Sequence, residues 1–186
     1  MDSREADLIQ RWQQGEVAAF EEIVRRWQQP ISRFLCRLTG NSETATDLAQ
    51  EVFLRVYRAA ARYRENGAFE RWLYRIALNV ARDAARRRQP TPLALANQAI
   101  SSHAGAADVI CQQRELKHIV AQAIADLPEP LRLVLVLRHY DEMNFEAIAR
   151  LLDTPASTLK SRFAAALERL RQRLQELGWG PEEMKT

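Results

Sequence analysis

Cysteine is nearly missing: Cys36 and Cys111 are the only two among 186 residues. Two distant thiols make neither a disulfide framework nor a metal-ligand spacing, and they point to a reduced, cytoplasmic protein. Histidine is scarce as well, with only His103, His118 and His139. A carboxylate–metal helical bundle needs two inward Glu-x-x-His pairs, and Glu115–His118 is a single copy. The six glycines form no phosphate-cradling loop. Neither metal, cofactor nor catalytic residue is therefore expected. No apolar run approaches the roughly 18–20 residues of a membrane span, so no membrane insertion is expected. The opening MDSREADLIQ is polar and acidic, unlike a secretory signal. Period-two alternation is absent too, which excludes sheets and leaves an all-α chain.

What is present is helical amphipathicity. Hydrophobic residues make up 47% of the chain, enough for a buried core in one or two small domains. The net charge of +3 is unevenly spread. Residues 1–89 hold 16 basic and 12 acidic residues, a net +4, whereas residues 115–186 hold 10 and 11, a net −1. The first half is thus the half suited to a polyanion. Its clearest element is FERWLYRIALNVARDAARRR, residues 69–88. At about 100° per residue, Phe69, Leu73, Ile76, Ala77, Val80 and Ala84 share one arc. Arg71, Arg75, Arg82 and Arg86 share roughly the opposite one, within about 60°, and Trp72, Asn79 and Asp83 lie between. A solvated helix would interleave acids to form i,i+4 pairs; here only Glu70 and Asp83 accompany six arginines. Two readings stand, a solvated basic face and a polyanion-binding helix with aromatic and amide groups placed to read bases.

In chain order, residues 7–14 read as a short helix ended by Gly15. A second helix follows from Glu16 or Val17, kinked or restarted at Pro30 and stopped by Thr39-Gly40-Asn41. Ser42 is a candidate N-cap for a helix reaching about Tyr63, with Leu48, Val52, Val56 and Ala59 buried. Asp47, Gln50, Glu51 and Leu54 flank that side and Phe53 is off its centre. This acidic-amide patch is either an interface or a solvated face. Arg64-Glu65-Asn66-Gly67 is a turn into the basic helix. Residues 90–113, with two prolines and almost no charge, read as an extended linker between two domains. Residues 115–125 and 131–140 are helical, separated by Leu127-Pro128-Glu129-Pro130. Asn144 caps a short helix, 145–152; Asp153-Thr154 breaks it; Pro155 opens a long helix to Leu177 with Leu159, Phe163, Ala166, Leu167, Leu170 and Leu174 buried. Short helix, tight turn and longer helix make a helix-turn-helix pattern. Ser157, Thr158, Lys160, Ser161 and Arg162 are donors at the end that a recognition helix presents to the major groove. A plain helical hairpin with a polar end is the alternative.

Three segments in this order, DLAQEVFLRVY (47–57), FERWLYRIALNVARD (69–83) and LPEPLRLVLVLRHYDEMNFEAIARLLDTPASTLKSR (127–162), resemble the bacterial extracytoplasmic-function (ECF) sigma factors of the sigma-70 family. The resemblance spans about residues 6–176. It implies an all-α fold of two domains. Residues 1–89 would form a sigma-2-type bundle, residues 90–113 a flexible linker threading polymerase channels, residues 114–178 a sigma-4-type helix-turn-helix domain, and residues 179–186 a polar tail. It implies core RNA polymerase as partner through its β′ clamp and β flap, with Asp47, Gln50, Glu51, Phe53 and Leu54 outward on the β′ clamp helices. It also implies promoter DNA. The −10 element would meet Tyr63, Asn66, Arg71, Trp72, Arg75, Asn79, Arg82 and Arg86, the arginines on phosphates and Tyr63 and Asn79 near a flipped base. Trp72 is equally readable as core. The −35 element would meet Ser157, Thr158, Lys160, Ser161 and Arg162. An anti-sigma factor covering both domains is a further implied partner.

The chain departs from that pattern where the family commonly has Gly, at Asp153 and Ser157, and where it commonly has a basic residue, at Ala165. The −35 sequence read would differ accordingly, or affinity would lean on the first domain. A free-standing helix-turn-helix regulator is the rival reading. It leaves residues 47–54 and the separate basic helix without a task.

Overall fold

The computed structural model of the chain describes residues 3–64, 67–88 and 119–177. Every regular element among them is helical. They divide into two compact units, the first holding the described residues up to 88 except Arg37–Ser42, the second holding residues 119–177 together with Arg37–Ser42.

In the first unit, α1 (Ser3–Gln13) starts earlier than its apolar pattern announced. Its Ile9 and Trp12 are buried, and Gly15 ends it with φ +94°, a conformation that costs glycine little. α2 (Val17–Thr39) continues through Pro30 without the restart that was one of the two expectations there. The missing N–H and ring clash of a mid-helix proline are offset by the next turn, whose Ile31, Phe34 and Leu35 are fully buried. α3 (Ser42–Arg58) stops short of Tyr63, and a 3-10 turn (Ala60–Arg62) carries the chain on into extended backbone at Tyr63. α4 (Phe69–Arg88) crosses the core on a wider arc than the pattern gave. Phe69, Leu73, Ala77 and Val80 are buried as expected, and so are Tyr74 and Leu78, while Ile76 and Ala84 are only half-buried. The Tyr74 ring meets Phe34 edge-on at 5.1 Å, which draws that flank of α4 onto α2. The arginine row is confined to the strip that remains.

In the second unit, residues 119–125 form α5, with Ala123 and Ile124 buried. α6 (Glu129–Leu135) begins inside the Leu127–Pro130 segment read as an interruption, because Pro130 sits in its first turn, where no N–H is needed. The helix then widens into a π-turn (Val136–Tyr140). Asp141 N–H donates to the Val136 carbonyl at 3.2 Å, the longer i→i+5 span. α7 (Phe145–Leu152) is capped as expected, the Ala147 N–H donating to Asn144 Oδ1 at 2.7 Å. Asp153 takes the left-handed conformation, φ 51°. α8 (Ala156–Glu176) buries Leu159, Ala166 and Leu174. Leu167 is 45% exposed, contrary to its place in the expected stripe, and Phe163 and Leu170 are half-buried. Packed against the short α7 and α6, α8 has neighbours on too narrow an arc to cover the whole stripe.

Candidate polymerase and nucleic-acid interfaces

The N-terminal end of α4 and the turn before it enclose an open cleft of about 320 Å³, lined by Arg62, Tyr63, Arg64, Ala68, Arg71, Trp72 and Arg75. Four guanidiniums and one indole face the same space. The turn that bounds it belongs to the first unit alone. Tyr63 is buried, 7% exposed, its ring tilted on Trp72 at 4.5 Å and edge-on to Phe69 at 5.6 Å. The expectation that Tyr63 offers a stacking face is corrected: its ring is a wall packed against Trp72, and the half-exposed Trp72 is the aromatic presented outward. Trp72 is thus partly core and partly surface. Asn66 lies outside the described residues. Asn79, Arg75, Arg82 and Arg86 are exposed on α4, and Arg71 is half-buried beside the cleft.

The arginine row is not uniform. Arg86 pairs with Asp83 Oδ1, and Asp83 Oδ2 accepts from Arg55 Nη1 at 3.1 Å. Arg55 Nε donates in turn to Glu51 Oε1 at 2.8 Å. Four alternating charges therefore tie α3 to α4. The bond from Arg55, then that from Arg86, holds the Asp83 carboxyl below the usual carboxylate range. Arg86 so engaged is less available to a phosphate than Arg71.

On α3, Asp47, Gln50 and Leu54 are exposed and Glu51 is half-buried. Phe53 is 8% exposed, so the expectation of an outward Phe53 is corrected. At helical spacing it falls at the edge of the arc of Ala45, Ala49, Val52 and Val56, all buried, and joins them. Tyr57 takes the outer position instead, 51% exposed next to Leu54 at 50%, its ring edge-on to Phe20 at 5.1 Å. Sequence reasoning missed Tyr57. The i, i+3 spacing from Leu54 was the available signal.

On α8, Ser157, Lys160 and Ser161 are exposed and Thr158 and Arg162 half-buried, all at the N-terminal end of the helix. The Ser161 hydroxyl donates to the Thr158 carbonyl at 2.9 Å. Lys160 Nζ lies 5.9 Å from the Phe145 ring centre, and the Arg138 guanidinium stands 5.6 Å from the same ring. Arg138 was missed because it sits in a strongly apolar run; the break it makes in that run was the signal. Ala165 is exposed on the same helix.

Sigma-70 region 2 matches residues 23–91, and Sigma-70, region 4 matches residues 117–170. The chain is similar to the RNA polymerase sigma-H factor of Pseudomonas aeruginosa, 34% identical over 184 residues, covering 94% of this chain and 95% of that one. It is equally similar to the ECF RNA polymerase sigma-E factor of Escherichia coli, 34% identical over 180 residues, covering 91% of this chain and 94% of that one. The chain belongs to the ECF sigma factors. Among solved structures, CnrH in complex with the cytosolic domain of CnrY shares the fold, with TM-score 0.71 and 20% identity over 94% of this chain and 99% of that one. So does the sigma factor RpoE in complex with the anti-sigma factor NepR from Bartonella quintana, with TM-score 0.69 and 19% identity over 84% of this chain and 96% of that one. The basic cleft thus falls in sigma region 2, and the helix-turn-helix in sigma region 4.

Proposed function

We infer that this sigma factor binds core RNA polymerase, places it on promoters by reading a −35 and a −10 element, and helps open the −10 region by trapping an unstacked base. The observation that carries the reading is the cleft at the start of α4, where four arginines surround a half-exposed Trp72. Such a site suits single-stranded nucleic acid, a cationic track for phosphates beside an aromatic face for a base. Arg71, Arg75 and Arg82 take phosphates, Trp72 takes the base face, and Asn79 offers an amide to a base edge. Asp47, Gln50, Leu54 and Tyr57 make the polymerase contact, an exposed apolar pair rimmed by polar groups. Thr158, Lys160, Ser161 and Arg162 enter the major groove with Arg138 on the flanking backbone. Residues 1–89 and 114–178 act as the two binding domains, and residues 90–113 connect them. An anti-sigma factor is a partner of this chain too, in keeping with the complexes in which its structural neighbours were solved. The protein works in the cytoplasm, where polymerase is, and catalyses nothing itself. No helix among the described residues is long and apolar enough to cross a membrane.

The test is binding to purified bacterial core polymerase, followed by transcription from a promoter library. Tight core binding with promoter-specific transcripts is expected, and the transcripts yield the −35 and −10 sequences. Binding to duplex DNA without core binding would overturn the reading.

A further inference from the structure

α1 precedes the segment that matches sigma region 2, which begins at residue 23. One of its side chains nevertheless reaches the turn whose residues line the cleft. The Gln13 side-chain nitrogen donates to the Ala60 carbonyl at 2.9 Å and to the Tyr63 carbonyl at 2.6 Å, 47 and 50 residues along the chain. Both partners can only accept, so the amide must turn its nitrogen toward them and its two hydrogens are both used. Gln13 thus adds a side-chain donor to the Ala60 carbonyl, which the turn already uses, and another to the Tyr63 carbonyl just past the turn. The 3-10 turn holds itself by Arg62 N–H on the Ala59 carbonyl at 2.9 Å and Tyr63 N–H on the Ala59 and Ala60 carbonyls at 3.0 and 3.3 Å. Bonds of that kind are geometrically poor, so side-chain donors add to the hold on the turn. Arg62, Tyr63 and Arg64, the residues that follow, line the cleft. Gln13 itself is held from behind, since Ile9 and Trp12 on the same helix are 0% and 3% exposed.

We propose that Gln13 is a positioning residue that braces the 60–63 turn, making α1 part of the apparatus that reads the −10 element. This rests on the reading of the cleft as the base-holding site. A turn fixed at two carbonyls three residues apart keeps Arg62 and Arg64 in place on the cleft they line with Trp72, and a turn released from them lets that rim widen. Selectivity for the trapped base falls while binding elsewhere in the chain is untouched.

The experiment uses the full chain with core polymerase and the promoter library, comparing the parent with Gln13→Glu and Gln13→Lys. Glutamate has the size of glutamine but donates nothing and sets a carboxylate against two carbonyl oxygens. Lysine restores donors. With two hydrogen bonds lost, Gln13→Glu should reduce base preference at the −10 element by about tenfold, with core affinity, −35 preference and melting temperature nearly those of the parent. Gln13→Lys should recover most of that preference. Unchanged −10 preference in Gln13→Glu would overturn the proposal. So would a Gln13→Glu that loses core affinity, −35 preference and melting temperature together, or a Gln13→Lys as defective as Gln13→Glu. A parent that opens promoters without base preference at −10 would instead sink the reading of the cleft, and the brace with it.

Discussion

Phe53 and Leu54 are neighbours in sequence with opposite duties. Phe53→Ala removes a buried ring and should cost about 3–5 kcal/mol of stability, seen as a lower urea midpoint. Leu54→Ala removes an exposed side chain; it should leave the midpoint nearly unchanged and weaken core-polymerase binding. A large stability loss from Leu54→Ala would refute the assignment of that face. Asp153 is a second single-residue case. Its φ of 51° is tolerable for a short polar side chain but not for a β-branched one. Asp153→Val should therefore lose about 1–2 kcal/mol, while Asp153→Gly should keep the fold and its −35 binding. Local signals made some of these residues readable: the Asn144 cap, the break at Asp153 and the donors from Ser157 to Arg162 were all visible in the sequence. Phe53 and Tyr63 were not. An aromatic at the margin of an arc is drawn inward or left outside by its neighbours on other helices, and those neighbours are not written nearby.

Elements carry the electrostatics. Glu51, Arg55, Asp83 and Arg86 bind α3 to α4, with Asp83 shared between two arginines. Its carboxyl is held low, so its contribution is present above the usual Asp value and is lost as pH falls through the lowered one, below about pH 3.9. The parent should accordingly lose more stability than Asp83→Asn between about pH 5 and pH 2, measured by thermal melts across that range. The same network ranks the arginines of α4. Arg71→Ala should lower the slope of log affinity against log salt, for holoenzyme on promoter DNA, by about 0.7–0.9. Arg86→Ala should lower it less, because Asp83 already neutralises it. The row of arginines was legible from helical periodicity, and so was most of the buried face of α4. The width of that face was not, since the Tyr74 ring is drawn in by Trp27 and Phe34 of α2, which the 3.6-residue pattern of α4 does not record.

For the whole molecule, the reading of residues 1–89 and 114–178 as separate binding domains carries its own expectation. Limited proteolysis should cut first within 90–113 and leave two fragments, the first binding core polymerase and the second duplex DNA bearing the −35 sequence. Early cuts inside either domain would contradict that division. Two all-α domains with the basic charge concentrated in the first were legible from composition and periodicity alone, since those depend on sums over many residues. One feature of the free chain bears on its handling. Val17, Leu54, Tyr57 and Leu167 hold large apolar side chains in water, each between 45% and 57% exposed. Leu54 and Tyr57, one helical turn apart on α3, make an apolar pair of the kind that marks an interaction site. The colloidal behaviour of the isolated protein should therefore track its partners: slow precipitation on concentration when alone, and clear solutions once an equimolar polymerase or inhibitor has taken up the exposed apolar side chains.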